Sequence, residues 1–419
     1  MSTRQKFILI FLSVCLAGIL PFFSILVLNN NSSASPENRD GDNQDISTAG
    51  YATKISPESS QQVPPQAATG LNPSLEFDAL TLPPPILTVP VPNTDTPISP
   101  SILVTTVPCP ISVSGGLVTE IKEIIANMPQ PGSNGFVQPT DEQITNWESL
   151  IDAVINDDIP AACSIIRTNG FPYEVVNFID TFNENQQYII LRENTPVQAG
   201  WGTFVFRTGK NISPLVVEVP HPVADWNTEI EGVEIFRKTG AQALLIAGTH
   251  RCANDAYSAC SGETIACGQV EPYRISDVGH GVQNMFHVTH GLLVGCRSKT
   301  VAIQLHGNSL SNCPDVFVSN GTVKPGAIAE NLSEAVTSSC RDYTVDLADG
   351  EAGECSFTGG GSPQAVLTNS CRWANPPDAC TGYTLRPSGP DQFLSIEQSI
   401  DVRKDFGCVI DALEEVFIP

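Results

Sequence analysis

The sequence predicts an α/β domain, a mixed sheet flanked by helices on both faces. Two observations carry this. Helical stretches alternate with short apolar runs such as PLVVEVPH, AQALLIAGTH and VAIQLHG. Continuous apolar runs, rather than alternating ones, mark strands covered on both faces. Polar residues then close these runs: His221, His250 and His306, and later Glu397 in FLSIEQ. Open α/β sheets bind ligands at the carboxyl ends of their strands, so a sheet and a site are predicted together.

Taken in order, residues 1–28 form a hydrophobic segment. Phe7–Leu28 runs 22 positions without a charge, behind Arg4 and Lys6. About 20 apolar residues span a bilayer as a helix, whereas a cleavable signal has a shorter apolar core. A signal-anchor helix and a signal peptide both stay open, and either sends the remaining chain out of the cytosol. Residues 29–112 are polar and proline-rich, as in LTLPPPILTVPVPNTDTPISP. Such a tract buries too little apolar surface to offset its ordering entropy, and reads as a disordered stalk. The catalytic domain is expected over 113–419, with 113–184 a helical extension. Within it, PTDEQITNWESLIDAVIND reads as a helix opened by a capping box of Thr140 and Gln143. IPAACSIIRTNG ends on a glycine cap. QQYIILRE, GTFVFRT and PLVVEVPH follow as strands, EGVEIFRKTG as a helix, AQALLIAGTH as a strand, GVQNMFHVTHGLLVG as a helix and VAIQLHG as a strand.

The 419 residues carry 21 basic and 45 acidic side chains, a net charge of −24. No basic face is available to meet phosphates, so nucleic acid is excluded as a partner and membrane contact is expected only through the N-terminal segment. Of 13 cysteines, Cys15 lies in the apolar segment, leaving twelve (13 − 1), with no C-x-x-C pair. An even set behind an export signal points to disulfides in an oxidising compartment. Glycosylation triplets at Asn30, Asn31, Asn211, Asn320 and Asn331 fit a chain of the secretory pathway, secreted or anchored by a single pass with its domain extracellular or lumenal.

The sequence lacks H-E-x-x-H, G-x-S-x-G and a phosphate-binding loop. Its six histidines (221, 250, 280, 287, 290 and 306) fall within 86 positions. His221 and Asp225 stand four apart just past a strand, and His306 ends another. Two imidazoles and a carboxylate form a usual catalytic zinc set, leaving one position for water. Glu229 is the rival carboxylate. A glutamate ending an apolar strand, as Glu397 does, is costly to bury without a task. It is placed to act as general base and to pass the proton to a leaving amine. Arg251 and Asn254 in GTHRCAND, with Arg372 and Arg403, are candidate anchors for a substrate carboxylate, since a guanidinium pairs with one through two bonds. A helix after Asp277 is expected to carry His280 and His287 on one face with His290 near it. His250, His280 and His290 are candidates to support the metal ligands from behind.

VEVPHPVAD, IQLHG and IEQS together resemble the N-formylglutamate amidohydrolase and poly-γ-glutamate hydrolase group, whose members are similar in fold to the zinc carboxypeptidases. The resemblance spans roughly residues 185–410. It implies a zinc-carboxypeptidase-like fold, zinc held by His221, Asp225 and His306, Glu397 as the base, and Arg251 on the substrate's carboxylate. This chain departs from the pattern in two ways. Its carboxylate follows His221 by four residues, where carboxypeptidases use a glutamate at closer spacing, so Asp225 and Glu229 both stay open. Cysteines also crowd 252–380 in a group largely free of disulfides, so the group's substrate does not carry over.

The first functional expectation is a zinc-dependent hydrolase of an amide or peptide bond, acting on a small-molecule or peptide substrate that bears a carboxylate. The alternative is a non-catalytic, disulfide-rich extracellular binding module on the same fold.

Overall fold

The computed structural model describes residues 108–418 except 296–298, 350–354, 356, 358, 371–377 and 382–390. The N-terminal hydrophobic segment, nearly all of the stalk and Arg372 lie outside the described residues. The described chain begins with β1 (Ile111–Gly115) and three helices, α1 (Leu117–Ala126), α2 (Asp141–Ile155) and α3 (Ile159–Asn169). Strands β2 (Tyr173–Asp180), β3 (Gln186–Glu193), β4 (Thr203–Arg207) and β5 (Ser213–Val219) follow, then α4 (Thr228–Thr239) and β6 (Ala241–Ile246). A small hairpin of β7 (Glu263–Thr264) and β8 (Glu271–Pro272) precedes α5 (Met285–Val294), β9 (Val301–Gly307), β10 (Val316–Ser319), α6 (Ala327–Ser339) and β11 (Val345–Leu347). The chain closes on α7 (Pro363–Ser370), β12 (Phe393–Gln398), α8 (Ile400–Lys404) and α9 (Gly407–Phe417).

Ten of these strands form one mixed sheet in the order β1-β2-β3-β4-β6-β5-β9-β12-β10-β11. Its centre, β6-β5-β9-β12, is parallel throughout. Their carboxyl ends therefore share one edge, which is where His221, His250, His306 and Glu397 stand. Two apolar layers cover the sheet. Val217, Leu244, Ile303 and Ile396 face one layer with Leu117, Phe236, Leu332 and Leu413 from the helices. Val216, Leu245, Ala302 and Phe393 face the other with Trp147, Ile151, Phe286 and Leu293. Covering on both faces explains the unbroken apolar runs of the central strands.

Strand period also fixes where the polar residues point. Side chains two apart share a face, so Glu218 follows Val216, Gln304 and His306 follow Ala302, and Ser395 and Glu397 follow Phe393 onto the second face.

Local signals are realised closely. Thr140 Oγ1 accepts from the Gln143 amide at 3.2 Å while Gln143 Oε1 accepts from the Thr140 amide at 2.9 Å, completing the capping box. Gly170 caps α3 at φ +62, the left-handed region where glycine is favoured. Other features differ from expectation. Cys109 is bonded to Cys163 and Ile111 opens β1, so order starts ahead of residue 113. The stretch 113–184 holds β2, which pairs with β3, besides its helices. His280 ends a 3-10 turn, Val278–His280, separate from α5. Asn284 accepts from the His287 amide at 2.7 Å and so starts the helix anew. Asn320 is buried and its side chain accepts from Thr322, so its glycosylation triplet is not presented.

Five disulfides tie the described chain: Cys109–Cys163, Cys252–Cys267, Cys260–Cys380, Cys313–Cys355 and Cys340–Cys408. Such a density belongs to an oxidising, extracellular or lumenal environment. Among the described residues no helix is long and apolar enough to cross a membrane.

Candidate metal centre

Past β5 the chain makes one helical turn, the Asp225 amide donating to the His221 carbonyl at 2.8 Å. That turn returns the Asp225 carboxylate to the ring of His221, which accounts for their spacing of four. Asp225 Oδ2 lies 3.2 Å from His221 Nδ1 and 3.6 Å from His306 Nδ1. One donor atom from each of His221, Asp225 and His306 lies within 4.8 Å of the others, and all three residues are buried. Four ligands around zinc at ~2.0–2.2 Å stand about 3.3–3.6 Å from one another, so the spacing suits a tetrahedral ion.

The ring of His221 supplies a second test of fit. Carboxylate oxygens face both of its nitrogens, Asp225 Oδ2 at Nδ1 and Asp277 Oδ1 at Nε2, 2.8 Å away. A neutral imidazole donates from one nitrogen only, so the ring must be an imidazolium or share Asp225 with a cation. Burial and Arg251 would lower its pKa, yet Asp277 and Asp225 raise it above the ordinary histidine value. Burial alone would raise the Asp225 carboxyl, but His221 and His306 hold it far below the usual carboxylate range. Asp225 and the two ring nitrogens that face it are the donor set a cation would take once His221 gives up its Nδ1 proton.

Each imidazole is braced from behind. Asp277, 1% exposed, also faces His280 Nδ1 at 3.1 Å and accepts from Arg251 Nε and Nη2 at 2.9 and 2.5 Å. His306 Nε2 lies 2.9 Å from Gln304 Oε1, while Gln304 Nε2 donates to Glu218 Oε2 at 3.1 Å. Glu218 Oε1 in turn faces His290 Nδ1 at 2.6 Å, and His290 Nε2 faces Thr368 Oγ1 at 2.9 Å. With the Gln304 oxygen toward the ring, His306 carries its proton on Nε2 and turns the Nδ1 lone pair to Asp225. His221, Asp277 and His280 form a second cluster of possible ligands. Arg251 already neutralises Asp277 there, so the first cluster is the better place for an ion.

Parallel register sets Glu397 directly beside His306, about 4.8 Å away across the ladder. Its carboxylate lines the same cleft. Burial raises its pKa, with His306 opposing and Asp225 adding to the rise. The cleft, about 700 Å³, also takes in Arg251, Tyr273, His280 and Ser395.

Of the remaining expected residues, His280 lines the cleft and the others lie outside the cluster. Glu229 sits in the first turn of α4, outside the cluster. Asn254 donates to the Phe136 carbonyl, and Arg403 donates to the Trp226 carbonyl under Gly307. His250 Nδ1 accepts from the Cys252 amide. His280 stacks on Tyr273 with ring centroids 4.0 Å apart. Asp277, Gln304 and Glu218 are the members that sequence reasoning passed over. Glu218 and Gln304 had a signal: each interrupts an apolar strand, and Gln304 stands two before His306, hence on its face.

No family model matches the sequence, and no curated protein matches it. Solved structures do. A bacteriophage poly-gamma-glutamate hydrolase is 12% identical over 49% of this chain and 84% of its own, with a TM-score of 0.29. N-formylglutamate amidohydrolase from Ralstonia eutropha JMP134 is 13% identical over 52% of this chain and 96% of its own, at 0.31. A metallo-carboxypeptidase from Burkholderia cenocepacia is 11% identical over 68% and 70%, at 0.30. These are distant likenesses of structure, and the chemistry is read from the site's own atoms.

Proposed function

We propose that this cleft is the active site of a zinc-dependent hydrolase of an amide or peptide bond, working outside the cell or in a secretory lumen. The convergence of His221 Nδ1, Asp225 Oδ2 and His306 Nδ1 in the cleft that Glu397 also lines carries the reading. Zinc held there would supply Lewis acidity and a water acidified toward neutral pH. Glu397 takes a proton and returns it to the leaving nitrogen. A carboxylate beside the proposed metal site suits both halves of that task. Asp277 and Gln304 fix the two rings, and Arg251 keeps Nη1 outside its contacts with Asp277, a place for a single substrate carboxylate.

The test compares purified wild type, Glu397→Gln and His306→Ala for bound zinc and for hydrolysis of N-acyl amino acids and dipeptides. Glu397→Gln should keep its zinc and lose turnover by roughly 10²–10⁴, the contribution of a general base. His306→Ala should lose the zinc. A wild type that binds zinc and cleaves no amide would leave a binding module.

A further inference from the structure

Resting on that reading, we infer that the cleft selects substrates whose groups flanking the scissile amide are apolar, and rejects polyanions. The β7–β8 hairpin lines the cleft with Ile265 and Val270, which are 65% and 67% exposed, and Leu310 beyond β9 lines it at 38%. Single exposed aliphatics are ordinary; several sharing one cleft with a reactive cluster mark a surface that a ligand covers. The hairpin is held in place before any ligand arrives. Cys252–Cys267 and Cys260–Cys380 fasten it, and Arg274 bridges Glu271 and Asp255.

Charge points the same way. The described lining carries the acids Asp225, Glu263 and Glu397 against one guanidinium, Arg251, whose Nε and Nη2 are committed to Asp277. One terminal carboxylate can meet the remaining nitrogen. Beyond the proposed zinc and Arg251, the described lining offers further acidic groups no cation, and losing their water there is costly.

The experiment uses the full chain as zinc-loaded Glu397→Gln and measures binding of N-acetyl-leucyl-leucine and N-acetyl-glutamyl-glutamate by calorimetry. The leucyl peptide should bind about tenfold tighter or more, within the range that apolar pockets reach per methylene. The double variant Ile265→Ser, Val270→Ser should keep its zinc, weaken the leucyl peptide about tenfold or more, and hardly move the glutamyl one. Equal or tighter glutamyl binding, no binding of either peptide, or unchanged leucyl binding in the double variant would each overturn the inference. The hydrolase reading fails separately: Glu397→Gln would bind the leucyl peptide while zinc-loaded wild type left it uncleaved.

Discussion

Replacing Asp277 with asparagine should injure the protein in two separable ways. The carboxylate offers one oxygen to Arg251 and the other to His221 and His280, at 1% exposure. Burial alone would raise its pKa, but Arg251, His280 and His221 hold it well below the ordinary carboxylate value. An amide has one acceptor oxygen, so its NH₂ must face either the guanidinium or the two imidazoles. Leaving Arg251 as a largely buried cation without its nearest partner should cost up to about 3–5 kcal/mol of stability, the loss when one partner of a buried pair is removed. Loosening His221 should weaken zinc about 10–100-fold, as mutations behind a metal ligand do. Denaturant titration reads the first effect and chelator competition the second. Adding Arg251→Met to Asp277→Asn removes the stranded charge, so stability should recover in large part while zinc stays weak. If Asp277→Asn binds zinc as the wild type does, Asp277 does not brace the ligand. If the double variant is no more stable than the single one, the charge account is wrong.

Two further outcomes follow from buried groups near the sheet edge. Burial pushes Glu231 up to about 8, although Gln398 donates to it at 2.9 Å and Arg403 lies near. The folded chain therefore holds a proton that the unfolded chain, with an ordinary glutamate pKa near 4.5, has released. Stability should fall as pH rises from 4.5 to 8, by roughly 1.4 kcal/mol per pH unit from this group. Glu231→Gln should flatten that slope in denaturant titrations, and an unchanged slope would refute the assignment. Glu218→Gln deprives His290 and Gln304 of a shared carboxyl partner. Gln304 is then free to turn its NH₂ toward His306, moving the ring's proton to Nδ1. Nitrogen-15 shifts of His306 should report the wrong tautomer and zinc should weaken about 10–100-fold; retention of the Nε2 proton would break the chain of reasoning.

How much of this the sequence discloses depends on whether a residue announces itself by period. The central strands were legible because both faces are covered, which removes alternation and leaves runs such as VVEV and AIQLH. β2 was not, because YEVVNFID lies toward an outer part of the sheet and mixes acids and an asparagine into its pattern. His306 and Glu397 sit inside strands, so their shared face and their register follow from counting. His221 and Asp225 are joined by a local turn, which spacing alone can express. Asp277 has neither aid. It lies in a loop, 56 positions from the His221 ring that it meets, and nothing in ISDVGH marks a partner so far away. Arg251 shows the consequence. A lone guanidinium after a strand reads as a substrate anchor, but the partner that occupies most of it comes from that unreadable loop. The candidate ligand cluster can thus be found from the chain's local rules, while the charge left over in the cleft is set by tertiary contacts. That is why the proposed substrate choice rests on the assembled cleft, where Ile265 and Val270 stand beside a guanidinium already held by Asp277.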